Sequence, residues 1–202
     1  MICAVFTFLG ALLFAAAFAI SEHVPPGPLT TFWDCCKASA SWPGAAPVIS
    51  PAVSRARDGM TWLGNLNEQS ACGGGPAYTC TSYQPFVRHG IGIRGHPGKV
   101  LITQVINEGP LQEGQFDLQV PGGGVGDYNA CPAEYGSPPN GWGARFGGVN
   151  SRAECGQLPP SLRRGCYWKY DFFAPDMWTE GAERIKCPAE LTRVSHCIRR
   201  DD

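Results

Sequence analysis

Two aspartates carry the chemistry this sequence suggests. Asp34 stands in Thr30–Lys37 (TTFWDCCK), behind Phe32 and Trp33 and ahead of the adjacent Cys35 and Cys36. Neighbouring cysteines would need a strained ring to bond each other, so each is expected to reach a separate distant partner, pinning the acid from both sides. Asp117 stands in Gln115–Val120 (QFDLQV), where Phe116, Leu118 and Val120 share one face of a strand and Asp117 and Gln119 share the other. A lone strand aspartate is ordinarily a solvated surface residue. Two carboxylates on rigid β structure, with aromatic rings at hand, instead suit glycoside hydrolysis: one acid protonates the leaving oxygen while the other carboxylate activates water. The rings are Phe32, Trp33, Trp42, Trp142, Phe146 and Trp168. Each also suits a core position, which is the expectation for Trp168.

The elements that must hold these groups are short. The 202 residues contain 26 glycines and 18 prolines and are only 16% charged, a balance that favours strands and turns in one mainly β domain. Lys99–Ile106 (KVLITQVI) and Gln115–Val120 read as strands. Pro121–Gly126 (PGGGVG) is a tight turn whose glycines allow positive φ. Ser151–Glu154 matches a capping box that starts a short helix, which Pro159-Pro160 ends. Cys166–Phe173 (CYWKYDFF) reads as an aromatic strand, and Pro188–Val194 as a last short helix with proline in its first turn. No internal repeat and no second domain are visible.

Several function classes are excluded. A formal charge of -1, with no Lys/Arg run longer than a pair, offers no footprint for nucleic acid. Gly90–Gly95 satisfies Gly-x-Gly-x-x-Gly, but Pro97-Gly98 follow, so no helix begins there to receive a pyrophosphate. His23, His89, His96 and His196 lack zinc-enzyme spacing, the cysteines form no Cys-x-x-Cys, and no Gly-x-Ser-x-Gly is present. Neither metal nor organic cofactor is expected.

Residues 1–19 read as a secretory leader, apolar from Ile2 with a small-x-small site at Ala17-Phe18-Ala19; residues 20–29 are a linker and 30–202 the catalytic domain. Without a flanking Lys/Arg cluster the segment is not expected to stay in a membrane. The leader takes Cys3 with it. Cys35, Cys36, Cys72, Cys80, Cys131, Cys155, Cys166, Cys187 and Cys197 remain, an odd number for an oxidising compartment.

Taken in order, WDCCK (Trp33–Lys37), SW (Ser41-Trp42), AYTC (Ala77–Cys80), FDLQVPGGGVG (Phe116–Gly126), GGVNSRAEC (Gly147–Cys155), GCYWKYDFF (Gly165–Phe173) and CPAEL (Cys187–Leu191) resemble the landmarks of the glycoside hydrolase family 45 endoglucanases. The resemblance runs from about Thr30 to the C-terminus. It implies a six-stranded double-psi β-barrel with an open groove, stapled by disulfides, in a secreted monomer that hydrolyses internal β-1,4-glucosidic bonds of cellulose or related glucans with inversion. By position Asp34 would be the general base and Asp117 the general acid. Phe32, Trp42 and Phe146 would bind sugar. Cys35 would pair with Cys131, Cys36 with Cys72 and Cys155 with Cys166.

The departures from the family pattern are local. Thr31 and Phe32 stand where Arg and Tyr are usual, and Phe146 replaces a tyrosine. Ala40 and Arg55 occupy cysteine positions, which leaves Cys80 without its partner. Pro110 takes the place of an assisting aspartate, with Glu108 and Glu113 as the carboxylates near enough to substitute. Between Pro85 and Gly98 a barrel strand is missing, and with it the expected partners of Cys187 and Cys197. Two rival readings follow: an expansin-like glucan-binding protein with impaired catalysis, and an incomplete gene product. Asp34 argues against the first, because expansins resemble the family but lack that base.

Overall fold

The computed structural model describes residues 3–5, 23–81, 101–172 and 177–200. The Gly90–Gly95 pattern and the segment expected to lack a strand lie outside the described residues. Glycine and proline punctuate the chain into short elements. In order the strands are β1 (Cys3–Val5), β2 (His23–Val24), β3 (Gly27–Phe32), β4 (Val48–Ser50), β5 (Ser54–Arg55) and β6 (Trp62–Leu63), then β7 (Ile102–Gln104), β8 (Phe116–Gln119), β9 (Trp178–Thr179), β10 (Ala182–Ile185) and β11 (Ile198–Arg199). The α-helices are α1 (Cys131–Tyr135), α2 (Pro160–Phe172) and α3 (Ala189–Ser195).

β3 is the organising strand. Its alternating burial puts Leu29 and Thr31 inside and Thr30 and Phe32 on the other face. It pairs in parallel with β8, Thr30 opposite Asp117 and Phe32 opposite Gln119, and antiparallel with β9. A second sheet has the order β2-β10-β1-β7, and β11-β4 and β5-β6 form two-stranded pairs. The fold is mainly β, and among the described residues the sheets do not close into a barrel. One of the two inner positions of the second sheet is held by Cys3–Val5, antiparallel to both Ile102–Gln104 and Ala182–Ile185. This strand lies within the segment read as a leader.

The largest core cluster gathers Trp33, Tyr78, Trp142, Leu158 and Leu162 around the Cys35–Cys131 and Cys155–Cys166 disulfides. A second lies under β3 and β8, with Leu29, Leu101, Leu118, Val120 and Ala182. Cys36–Cys72 is the third bridge. Cys80 is buried and free, whereas Cys187 is disulfide-bonded, against the expectation that its partner is gone.

The aromatic strand expected at Cys166–Phe173 is instead the body of α2. Leu162 and Cys166 are buried in the first core with Tyr170 packed against it, a four-residue repeat on one helix face. Trp168 and Phe172, also four apart, stack at 4.9 Å and pack against the second core, so Trp168 meets the core expectation from a helix. A run this rich in aromatics satisfies both periods, and two cores on opposite sides select the helical one. Pro160 opens α2, its fixed φ suiting the first turn, while the capping box precedes only a 3-10 turn at Ala153–Gln157. The strand read at Lys99–Ile106 is described only as Ile102–Gln104.

Candidate active site

The parallel pairing of β3 and β8 places Thr30, Phe32, Asp117 and Gln119 on one face, and Asp34 continues the same alternation two residues past Phe32. The chain is held hard at that point. The Trp33 N–H donates to the Gly124 carbonyl at 2.8 Å, and the Trp33 ring is fully buried. The Ala130 N–H donates to the Asp34 carbonyl at 2.8 Å, and the Cys36 N–H to Asp34 Oδ1 at 2.9 Å. Between them Cys35 takes φ 62°, a left-handed conformation rare for a residue with a side chain. Its disulfide to Cys131 and that of Cys36 to Cys72 hold this turn from two sides.

The glycine turn after β8 serves close approach more than turn geometry. A side chain at Gly123 would sit 2.7–2.8 Å from the Phe32 backbone, and one at Gly124 would meet Arg145, Phe146 and Gly147 at 2.5–2.9 Å. The glycine turn is thereby packed between the end of β3 and the loop bearing Phe146, which is 68% exposed.

Asp34 and Asp117 line one cavity of about 760 Å³ with Phe32, Gln119, Asp127 and Tyr128. Both are half-buried. Burial pushes the Asp34 carboxyl up to about 6; its backbone hydrogen bonds pull it down, and the Asp117 charge adds to the rise. Asp117 is also raised by burial, while a hydrogen bond from the Thr30 hydroxyl opposes the shift. Gln115 Nε2 in turn donates to Thr30 Oγ1 at 3.2 Å. Asp117 Oδ1 is buried with no hydrogen-bond partner among the described residues.

Of the expected sugar-binding rings, Phe32 lines the cavity, whereas Phe146, whose backbone packs against Gly124, is not among the lining residues. Trp42 lies apart, half-buried just beyond the short 3-10 helix Ser39–Ser41, whose Ser39 and Ala40 bond Ile106, Asn107 and Glu108 of the cavity wall. Glu108 lines the cavity, as does Pro110; Glu113 is not among the lining residues. Among the described residues no group of three or more His, Cys, Asp or Glu is placed to hold a metal ion.

Thr30, Gln119, Asp127 and Tyr128 were not singled out from the sequence. The alternation that marks Asp117 also marks Thr30 and Gln119, once β3 is known to pair in parallel with β8. Asp127 and Tyr128 follow the glycine turn and carry no local signal.

The sequence pattern described as glycosyl hydrolase family 45 matches residues 26–92 and 88–198, two pieces that meet where the strand was expected to be missing. An endoglucanase of Cryptopygus antarcticus is 38% identical over 93% of this chain and 96% of its own length. Endoglucanase 1 of Mycosarcoma maydis is 35% identical over 90% of this chain, which spans 56% of that protein. The crystal structure of the cellulase from the Antarctic springtail Cryptopygus antarcticus superposes with a TM-score of 0.79 at 38% identity, covering 89% of this chain and 99% of that one.

Proposed function

The chain belongs to glycosyl hydrolase family 45 and is an endoglucanase, and from that premise we propose that it cuts internal β-1,4-glucosidic bonds with inversion, Asp34 as base and Asp117 as acid. The observation that supports this reading is that Asp34, just past the end of β3, and Asp117, on the paired strand β8, line the same cavity. In the step, ionised Asp34 accepts a proton from water as its oxygen attacks the anomeric carbon. Asp117 gives its proton to the glycosidic oxygen, and the bond from that oxygen to the anomeric carbon breaks. Solvent then returns both groups to their starting states. The raised Asp34 carboxyl is a stronger base than an ordinary aspartate, and burial also raises the Asp117 carboxyl, which favours the protonated form that a general acid needs.

The enzyme is read as a secreted monomer whose substrate is the neutral polysaccharide itself. No helix of the described residues is long and apolar enough to cross a membrane. Asp34→Asn and Asp117→Asn are expected each to cut hydrolysis of soluble β-glucan by at least about 10²-fold, the scale of a positioned acid or base. Oligosaccharide affinity falls far less, because the change is nearly isosteric. Full activity in either variant removes that residue from its role, and a wild-type chain that folds and binds glucan without cleaving it selects the expansin-like reading.

A further inference from the structure

Gln119 lies at the middle level of the strand pair that carries the two acids. In the parallel register of β3 on β8, Thr30 faces Asp117 and Phe32 faces Gln119, and Asp34 stands two residues past Phe32. Two residues of strand advance about 6.6 Å, so Gln119 falls between the levels of Asp117 and Asp34, and all three line the same cavity. The amide is fixed from behind. Its Nε2 donates to Thr79 Oγ1 at 2.8 Å, Thr79 is only 2% exposed, and the Thr79 N–H donates to the Cys35 carbonyl at 3.3 Å. Gln119 is thereby tied to the turn that holds Asp34. With the nitrogen engaged on Thr79, the other end of the amide is Oε1, an acceptor to which no donor of the described residues bonds.

The chemistry at this level asks for such an acceptor. The attacking water has two O–H bonds, and Asp34 takes the proton of one. The second O–H also needs a partner in a half-buried site, and a partner in a fixed place turns the water's lone pair toward the anomeric carbon. Phe32, opposite Gln119, has no polar side-chain atom to serve. We propose that Gln119 is a positioning residue for the attacking water: Oε1 accepts the O–H that Asp34 does not take, and Thr79 holds the amide so that this oxygen faces the cavity. No covalent bond of Gln119 is made or broken. As the water oxygen bonds to the anomeric carbon, one proton passes to Asp34 and the O–H held by Gln119 becomes the hydroxyl of the new reducing end. This inference deepens the endoglucanase reading and rests on it.

The test compares the full chain with Gln119→Met, which keeps the length of the side chain and removes the acceptor. On soluble β-glucan kcat should fall about 10-fold, the scale of one hydrogen bond. Titration calorimetry, with Asp117→Asn added to both chains, should give cellohexaose affinities within about 2-fold of each other, because the lost contact is made to water and not to sugar. The acid limb of kcat/KM should stay where the wild type has it. Thr79→Val, which releases the amide, should lower kcat in the same pattern. An unchanged kcat in Gln119→Met overturns the proposal. So does an affinity loss equal to the kcat loss, which would place Gln119 on a sugar hydroxyl, and so does a displaced acid limb, which would leave it only a hold on Asp34. If Gln119→Met does not fold, Thr79→Val decides by the same three readings. An inactive wild type strikes the endoglucanase reading and this inference with it, whereas an active wild type whose kcat ignores Gln119 strikes this inference alone.

Discussion

Asp34 is reached by a chain with little freedom, and the pH dependence of the enzyme follows from that placement. In the roles proposed, Asp34 must be ionised to accept water's proton, so kcat/KM is expected to fall below pH about 6 rather than below the ordinary aspartate range. As the proposed acid Asp117 must be protonated, so the alkaline limb is expected to follow its carboxyl, which burial raises and the Thr30 hydroxyl restrains. Thr30→Val removes that restraint and should move the alkaline limb to higher pH while leaving the acid limb in place. An acid limb near pH 4, or an alkaline limb that does not move, would contradict these assignments. At this scale the sequence was informative where local pattern sufficed: period-two alternation marked Asp117, and the vicinal cysteines marked Asp34. Gln119 shares the alternation of Asp117, but its place between the acids becomes visible only with the pairing of β3 and β8.

Helix α1 links the Asp34 segment to the rest of the fold, since Cys131 bonds Cys35 and the Ala130 N–H donates to the Asp34 carbonyl. Near its C-terminal end Glu134 has both carboxyl oxygens buried without a hydrogen bond that satisfies them, and burial pushes it up to about 8. A carboxyl raised in the folded state contributes stability that is fully present below its unfolded value near 4.5 and is lost as pH rises through 8. Glu134→Gln should therefore flatten the fall in Tm between pH 5 and 9; parallel slopes for the two proteins would refute the burial argument. A different tension concerns β1. A leader cleaved near residue 19 cannot also pair with β7 and β10. N-terminal sequencing of secreted protein is expected to begin near Ile20, and that shorter chain, lacking the inner strand, should melt below the unprocessed one. Retention of Met1 in secreted material would assign Cys3–Val5 to the mature fold. Element type was legible for β8 and α3, where alternation or a proline start was unambiguous. It was misread for α2, whose aromatics face two separate cores that no local window reveals.

Among the described residues, the parallel pairing of β3 with β8, the Cys35–Cys131 and Cys36–Cys72 disulfides and a cavity of about 760 Å³ bring Asp34 and Asp117 together. The Cys35–Cys131 bridge closes a loop with a sequence separation of 96, which in the chain-entropy account removes about 4.7 kcal/mol of freedom from the denatured chain. Such pairings have no signature in spacing and became readable only through the resemblance, as did the barrel-like class itself. The central claim, that water attacks one side of the sugar while Asp117 frees the other, is tested most directly by the anomeric form of the first product. Proton NMR of a cello-oligosaccharide during the earliest turnover should show the new reducing end appearing as the α-anomer, with the β-anomer growing only as mutarotation proceeds. New β-anomer at the outset would contradict inversion and the paired roles of Asp34 and Asp117.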